Sequence, residues 1–96
     1  MNDSAASSQE GLVPRLPRGV RLKLDETRGQ WLLLAPERVV KLDPIAKAIL
    51  ERVDGIASVG RIVDDLANAY AADRAVIEAD VGRLLNELAA KRMVDL

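Results

Sequence analysis

The chain has 96 residues, with 14 Lys plus Arg, 15 Asp plus Glu, and neither Cys nor His. This length forms one small domain with a thin core. The missing Cys and His remove disulfides, thiolate nucleophiles, the commonest general base and the soft-metal ligands, which disfavours most enzyme classes and implies no cofactor.

Residues 1–13 (MNDSAASSQEGLV) are Ser/Ala-rich, lack periodicity, and read as a disordered tail before a domain over residues 14–96. The chain shows no signal peptide and nothing near the ~18 consecutive apolar residues of a membrane span, so it reads as soluble, cytoplasmic and without membrane contact. Val20, Leu22 and Leu24 alternate with charged residues, the period of a half-buried strand. Asp25 to Gly29 (DETRG) supplies a turn. Gln30 to Leu34 is apolar on both faces, as suits a central strand. Ala35-Pro36-Glu37 makes a second turn, and Arg38 to Leu42 a third strand. Connections this short predict an antiparallel meander with the third strand on an edge.

After Leu42 the apolar period becomes helical. Asp43 is a good N-cap and Pro44 suits the first helical position, before a stripe of Ile45, Ile49 and Val53 that Asp54-Gly55 should end. Ser58 caps a second predicted helix with Val59, Ile62, Val63, Leu66, Ala67 and Tyr70 inward, Tyr70 keeping its hydroxyl at the surface. Asp73 caps a third, with Ile77, Val81, Leu84, Leu85 and Leu88 inward and Lys91 and Arg92 at its end. Val94 and Leu96 are expected to pack back onto the core. Gly60 and Gly82 are poor helix formers inside these helices and point to close packing. Three strands followed by three helices make an α+β, winged helix-turn-helix-like domain.

Charge divides at the same boundary. Residues 15–42 carry seven basic and three acidic side chains, a net of +4, while residues 43–96 carry seven and ten, a net of −3. Catalysis finds little support. Asp64 and Asp65 are adjacent on a helix and point to different azimuths, and Asp80 and Glu87 share a face without a basic partner. A winged-helix DNA-binding regulator is the alternative reading, but its recognition helix needs exposed cations, and here Glu78 and Glu87 accompany Arg74, Arg83 and Asn86. A structural or oligomerisation domain fits the composition as well. Peptide binding rests on the third strand, whose unpaired edge can accept an extended chain, although Arg38 and Lys41 are also ordinary edge protection. Asp80, on or beside the apolar stripe, reads as a rim residue, as the salt-bridge partner of an Arg such as Arg38 or Arg61, or as a polar hook beside a groove. Trp31 reads as core rather than ligand platform.

The chain carries Pro17, Val20-Arg21-Leu22, Arg28 before Trp31, Leu34-Ala35-Pro36-Glu37-Arg38, Lys41-Leu42, Ile49-Leu50 and Asp54-Gly55, then Val59, Ile62, Leu66, Tyr70, Asp80-Val81 and Leu84-Leu85. In this combination it resembles the PqqD family, small peptide chaperones of pyrroloquinoline quinone (PQQ) biosynthesis. The resemblance covers about residues 15–96. It implies a non-catalytic RiPP recognition element, that is, a binder of the leader of a ribosomally made, later modified peptide. A PqqA-like precursor would be presented to a PqqE-like radical S-adenosylmethionine (SAM) enzyme. No nucleic acid is expected as a partner, and the protein itself would be a monomer or weak homodimer. Carried over, the resemblance makes Arg38, Val39, Val40, Lys41 and Leu42 the docking strand. Ile77, Asp80, Val81 and Leu84 become the opposing helix wall. Glu37 and Asp54 are candidates for meeting the enzyme.

Overall fold

The computed structural model describes residues 9–96. Its elements are β1 (Arg21–Asp25), β2 (Gln30–Ala35), β3 (Arg38–Leu42), α1 (Pro44–Leu50), α2 (Val59–Tyr70) and α3 (Arg74–Ala90). The sheet is antiparallel in the order β1-β2-β3, as the short turns require. Leu22, Leu33 and Val40 form one cross-strand row, and Leu24, Trp31 and Leu42 the next. This face meets the helices, with Leu33 and Leu42 in the core beside Ile49, Leu50, Ile62, Leu66, Val81 and Leu85. α1 touches β3, α2 and α3, so it joins the sheet to the helical pair.

The three expected caps are present. Asp43 accepts from the Ala46 N–H at 2.7 Å, Ser58 from that of Arg61 at 3.1 Å, and Asp73 from that of Ala75 at 3.0 Å. α1 stops at Leu50 rather than at Asp54-Gly55. The chain tightens there, Arg52 N–H donating to the Ile49 carbonyl at 3.0 Å and Val53 N–H to that of Leu50 at 3.1 Å, and these i to i−3 bonds end the α-helix while keeping Val53 buried. Gly55 then takes a φ of +79°.

Other differences lie at the ends of elements. Tyr70 is 52% exposed, because it stands beyond Leu66, the last buried residue of α2. Met93 and Val94 are buried, but Leu96 is 41% exposed. The C-terminal arm is instead held by a two-bond bridge in which the Arg15 N–H donates to Asp95 at 3.0 Å and the Asp95 N–H to Arg15 at 2.8 Å.

Residues 9–13, expected within the tail, are docked; residues 1–8 of that tail lie outside the described residues. The Val59 N–H donates to the Leu12 carbonyl at 2.8 Å, and Gln9 Nε2 to Asn86 Oδ1 at 2.7 Å. Arg74 holds the Glu10 carboxylate with two bonds of 3.1 and 3.0 Å. This strap runs over Gly60 and Gly82, where added Cβ atoms would meet the Glu10 carbonyl oxygen at 3.3 Å and Gln9 Oε1 at 3.2 Å. The close packing expected of these glycines is therefore against the N-terminal segment.

Candidate docking site at the open strand edge

The β2–β3 turn contains only Pro36 and Glu37, and Ala35 pairs with Arg38. That pair must exchange both backbone bonds, since the other antiparallel pattern would need a bond between the adjacent residues Pro36 and Glu37. Alternation then makes Leu33–Val40 and Trp31–Leu42 bonded pairs. The N–H and C=O groups of Val39 and Lys41 are left on the open edge. Side chains alternate the other way. Val40 and Leu42 point toward the core, while Val39, 64% exposed, and Lys41 lie on the outer face.

Beside the end of β3 lies an open cleft of about 300 Å³ between α1 and α3, lined by Asp43, Ile45, Ala46, Ile49, Asp80, Arg83, Leu84 and Glu87. Of the residues expected on the α3 wall, Asp80 and Leu84 line it. Ile77 and Val81 do not; they share the inward side of α3 with Leu84 but are buried in the core rather than open to the cleft. Asp80 is half-exposed and bonded to Arg83 Nη2 at 2.6 Å, rather than to Arg38 or Arg61; Arg61 pairs with Asp65 at 3.1 Å, one turn along α2. Sequence reasoning missed the α1 wall. Its signal was the single residue, Asp43, between β3 and α1, which forces the first turn of α1, with Ile45, against the strand's end.

A second depression opens where Trp31, Lys41, Leu42, Lys47 and Tyr70 converge. Trp31 packs on the core and carries Lys47 Nζ 4.6 Å from its ring centroid, and Lys47 also meets Glu51 at 2.6 Å. Gln30 Nε2 donates to the Leu42 carbonyl at 2.8 Å and ties off the last rung of β3.

The two candidate contacts with an enzyme differ in role. Glu37 is exposed at the hairpin tip. Asp54 has a local task, accepting from the Ile56 and Ala57 N–H groups at 2.9 Å each. Those bonds, Ala57 first, hold its carboxyl below the usual range. They also shape a loop that leaves Ile56 82% exposed, which the sequence did not flag.

The other charge cluster ties the strap down. Arg74 meets Glu10, and Asp64 at 2.7 Å, with Glu78 at 4.0 Å. The guanidinium holds the Glu10 carboxyl below its ordinary value, while the adjacent Glu10 pushes that of Glu78 up. The face of the α2–α3 pair is thus crossed by residues 9–12 and carries Asp64 and Glu78, a poor surface for phosphates. Among the described residues, no group of three or more His, Cys, Asp or Glu side chains could hold a metal, and no helix is long and apolar enough to cross a membrane.

Residues 30–94 match the family model described as coenzyme PQQ synthesis protein D (PqqD). The PqqA binding protein of Rhodopseudomonas palustris strain HaA2 is 54% identical over 85 residues, which cover 88% of this chain and 83% of that protein. The bifunctional coenzyme PQQ synthesis protein C/D of Methylorubrum extorquens is 52% identical over 83 residues, 86% of this chain but 22% of that longer protein. The solution structure of the PqqD truncation of Methylobacterium extorquens PqqCD, described as a stand-alone RiPP recognition element, matches with a TM-score of 0.76 and 51% identity, covering 88% of this chain and 89% of that one.

Proposed function

The chain belongs to the PqqD family, and on that premise we propose that it is a non-catalytic chaperone. In this reading it binds the leader of a PqqA-like precursor along β3 and presents it to a PqqE-like radical SAM enzyme of PQQ biosynthesis. The observation that carries this reading is the open β3 edge at Val39 and Lys41, which leads through Asp43 to the α1–α3 cleft.

A leader added to β3 as a fourth strand bonds to the outward groups of Val39 and Lys41, at about 1 kcal/mol net per hydrogen bond. Its alternate side chains fall on two faces. Those facing the helices enter the cleft of Ile45, Ile49 and Leu84, where apolar contact and the Asp80–Arg83 pair set register. The others lie beside Val39 and Lys41. Arg38 and Lys41 attract acidic leader residues and act chiefly on association rate. Val81, Ile77 and Leu42 support the cleft from beneath as core. For the enzyme, the gain is effective concentration, because a tethered leader makes encounter with the core peptide nearly intramolecular. No bond is made or broken by this chain.

Proline substitution separates the two parities of β3. Val39→Pro and Lys41→Pro each delete an outward N–H while leaving the β2–β3 bonds intact. Leader affinity, measured by calorimetry, is expected to fall about fivefold or more in each, with the fold retained. Val40→Pro deletes a bond within the sheet and should lower Tm instead. Unchanged leader affinity in folded Val39→Pro and Lys41→Pro would sink strand addition as the mode of binding.

A further inference from the structure

The sheet has a second face. All three helices, with Met93 and Val94, lie against Leu22, Trp31, Leu33 and Val40. On its other face an antiparallel sheet packed on a core ordinarily carries polar residues. Here the outward side chains of β2 are Leu32 and Leu34, neither of which packs on the core. The register sets Leu34 between Arg21 and Val39, and Leu32 between Lys23 and Lys41. An apolar centre is therefore flanked by three cations, against one acid of the same face, Asp25, at the far end of β1. None of the three has an ion-pair partner among the described residues, whereas acids elsewhere in the chain pair with Lys47, Arg61, Arg74 and Arg83.

We propose that this outer face docks a second protein through an acidic surface with an apolar centre. Charge selects that occupant. A second copy stacked face to face would oppose Arg21, Lys23 and Lys41 with their own equivalents. Nucleic acid is poorly matched, because the face has no aromatic side chain on which to stack a base, and the Gln30 amide is already bonded to Leu42. The face is continuous with the proposed leader site, since Val39 and Lys41 belong to both. A leader strand added to β3 lengthens the same surface, so a docked partner meets the leader it is to receive. The identification of that partner with the modifying enzyme rests on the function proposed above.

Arg21 and Lys23 allow a clean test, because β1 is the far edge of the sheet and touches no chain added to β3. The full chain and its Arg21→Glu/Lys23→Glu variant are titrated with the leader peptide and, separately, with the purified radical SAM enzyme. Amide spectra establish the fold, and a milder Arg21→Gln/Lys23→Gln variant serves if the reversal unfolds the sheet. Enzyme affinity is expected to fall about tenfold or more, with leader affinity unchanged. Undiminished enzyme affinity in a folded variant overturns the proposal, as does a wild-type chain that binds anionic lipid vesicles through these residues but not the enzyme. Failure of the wild-type chain to bind the leader overturns the chaperone reading instead, and the enzyme titration still decides the docking face.

Discussion

Gly60 and Gly82 sit inside α2 and α3, where glycine costs about 1 kcal/mol relative to alanine. The strap gives the two positions different fates. At Gly82 an added methyl meets only the end of the Gln9 side chain, at 3.2 Å, and that side chain can swing aside. At Gly60 it meets the Glu10 backbone oxygen at 3.3 Å and Cβ at 3.4 Å, and a backbone does not swing. Gly82→Ala is therefore expected to stabilise the protein by up to about 1 kcal/mol in denaturant titration. Gly60→Ala should gain nothing or lose stability in the full chain, yet recover about the same 1 kcal/mol once residues 1–11 are deleted. Equal gains at both positions in the full chain would show that the strap does not lie over α2 as described.

At the scale of elements the strap is held by one ion cluster, which makes its docking sensitive to pH. Glu10 has its carboxyl lowered by the Arg74 bonds, so its contribution to stability is present above the unfolded value and is lost as pH falls through the folded one. Glu78 is raised by the neighbouring Glu10, so its ionisation opposes folding as pH rises through the folded value. Glu10→Gln should lower Tm at neutral pH, the gap closing in acid; Glu78→Gln should raise Tm at neutral pH and change little in acid. A Glu10→Gln deficit that is the same at every pH would remove the ion cluster as its cause. The strap was not legible in the sequence because its partners are 77 and 64 residues away, at Asn86 and Arg74, and Gln9 to Val13 has no period of its own. The strands and caps were legible because their causes are local: alternation at Leu22 and Leu24, and Asp43, Ser58 and Asp73 each beside the N–H it accepts from. The open strand edge proposed for docking followed from turn length. Its opposing wall followed only in part, because apolar residues at positions 77, 81, 84, 85 and 88 allow more than one inward azimuth, and the fold buries Ile77, Val81, Leu85 and Leu88 while leaving Leu84 at the cleft.

Across the whole molecule the near-neutral total joins unlike parts, +4 over residues 15–42 and −3 over residues 43–96, with −2 from Asp3 and Glu10 before them. Every ion pair among the described residues lies within the helical half or ties Glu10 to it, and the sheet's cations have none. The field at the β3 edge is therefore set by uncompensated Arg38 and Lys41. Such exposed charges act over about a Debye length, roughly 10 Å at 0.1 M salt, and so act before contact is made. An acidic leader should then associate about ten times more slowly in about 0.5 M salt than at low ionic strength, while its dissociation, governed by backbone bonds and the apolar cleft, stays nearly constant. Stopped-flow measurement of both rates tests this, and an Arg38→Gln/Lys41→Gln variant should flatten the salt dependence of association alone. A salt dependence carried mainly by dissociation would mean that these cations are bonded within the complex. The charge asymmetry of the chain would then serve grip rather than approach, and leader affinity would depend on salt bridges that an open strand edge does not require.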